Sequence, residues 1–98
     1  MNWPLRVNPE AEADLVDAEA WYERQRVGLG DELLDCVEEV FDFLEHSPEI
    51  YAKVFEDLRL AKVQRIPYVV VYRVDEDQVT IVAIYHASRD PRGWQSRA

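Results

Sequence analysis

Cysteine occurs once in the 98 residues, histidine twice, glycine three times and methionine once. A lone Cys36 excludes an internal disulfide, so nothing in the chain demands an oxidising compartment. His46, His86 and Cys36 give no pair with the spacing of a zinc or calcium site, and no metal or cofactor is expected. Long apolar runs are missing too: a run such as Tyr68 to Tyr72 falls far short of the ~20 residues that cross a bilayer. Met1-Asn2-Trp3-Pro4 has neither the basic start nor the apolar stretch of a secretory signal, so a cytoplasmic location is expected. Few glycines and prolines in a chain that is 48% hydrophobic and 32% charged exclude a disordered or low-complexity protein. What remains is enough for one domain, residues 1–98, and too little for two.

Charge is abundant and unevenly divided. The net value of −9 argues at first against nucleic acid, because phosphate repels an acidic surface. Residues 9–57, however, carry 16 acidic and 3 basic side chains, whereas residues 58–98 carry 7 basic and 4 acidic ones. An anionic partner should therefore meet the C-terminal part, and the acidic half reads as a solvated helical face.

Trp3 to Val7 reads as a short strand, and Asn8-Pro9-Glu10 as a helix start, with Asn8 the cap and Pro9 the first helical residue. Ala11, Leu15, Ala18 and Trp21/Tyr22 follow a helical period that ends at Gly28, a left-handed stop. Leu33, Val37, Val40/Phe41 and Leu44 mark a second amphipathic helix, opened near Gly30-Asp31 and ended by Ser47-Pro48. The short link predicts an antiparallel helical hairpin. Leu58 to Gln64, Tyr68 to Val74 and Gln78 to His86 read as strands, the last two joined at Asp75-Glu76-Asp77. The predicted fold is α+β, in the order β-α-α-β-β-β: a small antiparallel sheet with the hairpin on one face.

Candidate chemistry gathers late in the chain. Arg59 and Lys62 lie along one predicted strand with Arg65 next to its end, and an exposed edge is the preferred explanation of all three over a binding surface. The stretch from Tyr85 to Arg97 combines His86 with Arg89, Arg92, Arg97 and Trp94. Arginine clamps phosphate or carboxylate, and histidine moves protons near neutrality. Two readings stand for His86, a proton-transfer group or a residue that orients the tail. Arg89-Asp90 could pair to hold the turn at Pro91, and Trp94 reads as a ring folded back on the sheet.

The sequence resembles the RelE/ParE superfamily of type II toxin–antitoxin toxins, on its ParE-like side. The likeness rests on Ala11, Asp14-Leu15, Trp21-Tyr22, Gly28-Leu29-Gly30, Pro48-Glu49 and Arg59. It continues through Arg65-Ile66-Pro67-Tyr68, Val71-Tyr72-Arg73, and His86 through Arg89-Asp90-Pro91 to Trp94. The resemblance implies a microbial-RNase-like sheet carrying a helical hairpin. It also implies a toxin neutralised by a cognate antitoxin, with ParE-like members poisoning DNA gyrase. RelE-like members instead cleave mRNA on the ribosome without a metal, using lysines, arginines and a C-terminal Tyr or His. Here the lysine cluster is reduced to Lys62, and Trp94 stands near the position of that tyrosine. His86, Arg59 and Arg89, with Arg65 beside them, are the candidates if the chain is a metal-independent endoribonuclease. Arg59, Lys62, Arg65, Arg89, Arg92, Trp94 and Arg97 form the expected antitoxin- or target-binding set. A degenerate member that keeps the fold without toxicity is the third possibility.

Overall fold

Pro9 occupies the first turn of helix α1 (Pro9–Gln25), where its missing N–H costs nothing. Asn8 makes no side-chain cap; its backbone N–H donates to the Ile81 carbonyl at 3.0 Å and extends the pairing of strand β1 (Leu5–Val7). Helix α2 (Leu29–His46) follows after a turn in which Gly28 adopts φ 94°, a left-handed conformation that disfavours a side chain. The Glu23 carboxylate accepts the N–H groups of Gly28 at 3.1 Å and Gly30 at 3.0 Å. An acid from α1 thus fills the anion-favouring N-terminus of α2. The structure, a computed structural model, describes residues 2–98.

After α2 come strands β2 (Lys53–Phe55), β3 (Leu58–Lys62), β4 (Tyr68–Asp75) and β5 (Gln78–His86), then a short helix α3 (Arg92–Gln95). They form one sheet in the order β1-β5-β4-β3-β2. The α+β class and the hairpin are as expected, with three differences. The sheet is mixed, because β1 reaches β5 by a crossover through the hairpin and pairs with it in parallel. β2 is an added edge strand of three residues, too short for alternation to reveal it. The strand expected to run to Gln64 stops at Lys62, ahead of a loop in which Arg65 takes φ 70°.

Two apolar layers cover the sheet. On the hairpin side, Leu33, Val37 and Leu44 pack with Val70, Tyr72, Val79, Ile81 and Ile84. On the other side, Leu58, Val71, Val82, Ala83 and Tyr85 meet Trp94 of α3. This double cover explains why β5 is buried at every residue from Val79 to Tyr85. A bulge sets the facing. Val71 pairs with Ala83 while Tyr72 pairs with Ile81, so Val82 is an extra residue on β5. Beyond it the alternation is inverted: Ile84 faces the hairpin and Tyr85 faces α3. His86 consequently lies on the hairpin side, opposite Tyr68 in the register.

Candidate functional site

At that end of the sheet four rings form a continuous contact. Trp21 lies 5.2 Å from Tyr22, Tyr22 5.9 Å from Tyr68, and Tyr68 5.2 Å from His86, the last two pairs edge to face. Helical spacing on α1 places Trp21 and Tyr22 at the corner, and β4–β5 pairing supplies Tyr68 and His86. Arg89 closes the corner from the tail, its guanidinium 4.6 Å above the Tyr85 ring in a cation–π contact. A cleft of about 450 Å³ opens among Trp21, Tyr22, Tyr68, His86 and Arg89. Trp21 is half exposed, and Arg89 pairs with no carboxylate among the described residues.

The local bonds decide what His86 offers. The Ser88 backbone N–H donates to His86 Nδ1 at 3.1 Å, and the Ser88 hydroxyl lies 2.8 Å from the same nitrogen. A backbone N–H can only donate, so Nδ1 is the acceptor and the neutral ring carries its proton on Nε2. The ring in this state is a hydrogen-bond donor at Nε2. Burial, then the neighbouring Tyr22, pushes the Tyr68 hydroxyl above the ordinary tyrosine value, while the charge of Arg89 works the other way. Tyr68 is therefore a neutral phenol across the physiological range.

The remaining candidates are dispersed. Arg59 points into the segment after α2, its Nη1 donating to the carbonyls of Glu49 at 3.2 Å and Tyr51 at 2.6 Å. It pairs with Tyr72 whereas His86 pairs with Tyr68, which separates them by about 13 Å along β4. Arg65 lies over α2, with Nη2 3.4 Å from Cys36 Sγ and 3.3 Å from Glu39 Oε1. Those contacts, the one with Cys36 first, raise its already high pKa. Lys62 is exposed at the end of β3. Arg92 holds Asp90 through Nε at 2.9 Å and Nη2 at 2.6 Å. Asp90 thus pairs with Arg92 and not, as expected, with Arg89, and the hydrogen bonds from Arg92 hold its carboxyl below the usual aspartate range. Trp94 is buried edge-on against Phe55 and presents no open face to a partner.

Arg97 has a structural task that sequence reading missed. Its Nη1 and Nη2 bind Asp14 Oδ2 at 2.6 Å and Oδ1 at 3.2 Å, and Nη1 also donates to the Val82 carbonyl at 3.1 Å. Asp14 Oδ2 accepts the Ile84 N–H at 3.1 Å as well. β1 pairs with β5 only as far as Ile81, so the ion pair satisfies edge groups that β1 leaves open. The signal was present: position 14 falls inside the apolar stripe of α1, three residues after Ala11 and four before Ala18, and an acid there needs a buried partner.

The family described as ParE toxin of type II toxin-antitoxin system, parDE, matches residues 5–91. The chain belongs to the ParE toxin family. It is a type II toxin–antitoxin toxin of the ParE/RelE superfamily, and the match includes every ring of the corner and Arg89. Two solved structures share the ParE/RelE fold. One, from the chromosomal ParDE system of P. aeruginosa, has a TM-score of 0.67 at 16% identity and covers 88% of this chain and 97% of that one. The other, from the RelBE2 toxin–antitoxin complex of Mycobacterium tuberculosis, scores 0.64 at 21% identity, covering 88% and 99%. No curated protein matches the sequence significantly. No helix among the described residues is long and apolar enough to cross a membrane.

Proposed function

We propose that this ParE-family toxin arrests growth by binding a protein target, DNA gyrase, and is neutralised by a cognate antitoxin. The observation that carries this reading is the dispersal of its cations. A phosphoryl-transfer site without a metal needs several cationic donors and a base converging within about 3 Å of one reacting phosphate. Here Arg59 is bound to backbone carbonyls, Arg97 to Asp14, Arg92 to Asp90 and Arg65 to Glu39. That leaves Arg89 at the corner with His86, and Lys62, without an ion pair among the described residues, two strands away opposite Val69. His86, with its proton on Nε2, is poised to donate and not to accept. A half-exposed Trp21 beside an unpaired arginine suits a protein contact, where aromatic and arginine anchors dominate.

The two fold neighbours come from toxin–antitoxin systems, which supports an antitoxin as the natural partner. An acidic residue of that antitoxin is assigned to Arg89. One observation favours cleavage of ribosome-bound mRNA as the second reading: Tyr68, His86 and Arg89 do converge on one cleft. Growth after induced expression separates both from a non-toxic family member, which would give a soluble product and no arrest. Purified protein is then assayed for gyrase supercoiling and for cleavage of ribosome-bound mRNA. Inhibited supercoiling with intact mRNA is expected; cleaved mRNA that becomes resistant in His86→Ala would replace this reading with the second.

A further inference from the structure

A second surface lies away from the aromatic corner. Between β1, the N-terminal half of α1 and the outer side of α2 runs a groove of about 440 Å³. Its floor is apolar, made by Leu5, Leu15, Leu34 and Phe41, each only half-buried. Its rim is carboxylate: Glu38, Asp42 and Glu45 follow one another along α2. None of the three takes part in an ion pair among the described residues. Residues 34–45 of α2 extend roughly 16 Å, the length of about three turns of a partner helix.

We infer that this groove receives a cationic amphipathic segment of a protein partner, with aliphatic side chains on the apolar floor and lysine or arginine against Glu38, Asp42 and Glu45. Charge complementarity selects that occupant. An acidic segment would face three unpaired carboxylates, and a second copy of this chain, at net −9, would repel the rim. A purely apolar segment would leave the carboxylates without cations and gain no specificity from them. The polarity is opposite to that of the Arg89 corner, so one partner that wraps the molecule would need a basic stretch for the groove and an acidic one for the corner. The inference rests on the antitoxin reading only for the identity of the carrier, and the peptide experiment below stands without it.

The test uses the full chain and two synthetic amphipathic peptides that share one leucine stripe, flanked in one by lysine and in the other by glutamate. Calorimetric titration at low salt, with amide chemical-shift mapping, should show that only the lysine peptide binds. The shifts should centre on Leu5, Leu15, Leu34 and Phe41. Glu38→Lys with Asp42→Lys should weaken binding about tenfold, and both positions are exposed, so the fold is kept. Glu56→Lys, in the β2–β3 turn at the opposite edge of the sheet from β1, reverses the same kind of charge and should change affinity less than twofold. Replacing the peptide's leucines by alanine should abolish the shifts at the floor. Equal weakening by the groove and turn variants, equal binding of both peptides, or shifts spread over the whole acidic face would each overturn the inference. An antitoxin that binds tightly while leaving the groove open to the lysine peptide would remove it only as carrier.

Discussion

Tyr72 shows how much one side chain can hold. It is wholly buried, and its hydroxyl donates to the Pro48 carbonyl at 2.7 Å, fastening the end of α2 to the middle of the sheet. Burial pushes its pKa up to about 12, with Arg59 opposing the shift. A raised folded-state value means the folded chain keeps a proton that the unfolded chain loses above pH 10. The stabilisation is therefore complete below pH 10 and falls by roughly 2–3 kcal/mol as pH rises to about 12. Denaturant unfolding at pH 8 and pH 11 should show about half of that fall in the native protein and much less of it in Tyr72→Phe. Asp14 is the second such residue. Asp14→Ala strands the Arg97 guanidinium and the Ile84 N–H together, and should cost about 2–3 kcal/mol with faster exchange at the Ile84 amide. Of these two, Tyr72 was visible in sequence as part of an apolar strand, but its carbonyl partner lies 24 residues away and no pattern encodes it. Asp14 was visible as an acid in an apolar stripe, and only folding showed that its partner is Arg97, the last basic residue of the tail.

At the level of elements, α1, α2, β4 and β5 were legible because each is long enough to repeat its period. The 17- and 18-residue helices carry several turns of apolar spacing, and β4–β5 alternate or run apolar over 8 and 9 residues. β2 and α3, with three and four residues, carry no period and owe their form to neighbours. The Val82 bulge was equally silent, yet it turns His86 toward the hairpin and Tyr85 toward α3. α3 docks because residue 93 is glycine: a Cβ there would lie 1.8 Å from the Tyr85 hydroxyl oxygen. Gly93→Ala should therefore lift α3 from the sheet at a cost of about 1–3 kcal/mol. Trp94 fluorescence should shift to longer wavelength as the ring meets water, and Tyr85→Phe should recover part of the loss. An unshifted spectrum in Gly93→Ala would show that the tail is held elsewhere.

For the whole molecule, the sequence indicated a basic C-terminal part facing an acidic helical one, and it could not show how the cations would divide. Among the described residues five arginines enter ion pairs, and Arg59 binds backbone carbonyls. Charge by region therefore overstated the binding surface, because internal pairing depends on contacts such as Asp14–Arg97 between residues 83 apart. Among the described residues Arg89 is the one arginine of the C-terminal part with neither an ion pair nor a backbone acceptor, and it borders a corner of four rings at one end of the sheet. Charge reversal at Arg89 should weaken the antitoxin complex at least tenfold, with a smaller loss at higher salt, as calorimetry would record. Arg92→Glu, beside it in sequence but turned onto Asp90, should have a smaller effect. The claim that this toxin works through that corner is tested most directly by DNA gyrase supercoiling in the presence of the native protein and Arg89→Glu. Inhibition by the native protein, lost in Arg89→Glu at unchanged thermal stability, is the expected result; gyrase that supercoils normally with the folded native protein present would contradict it.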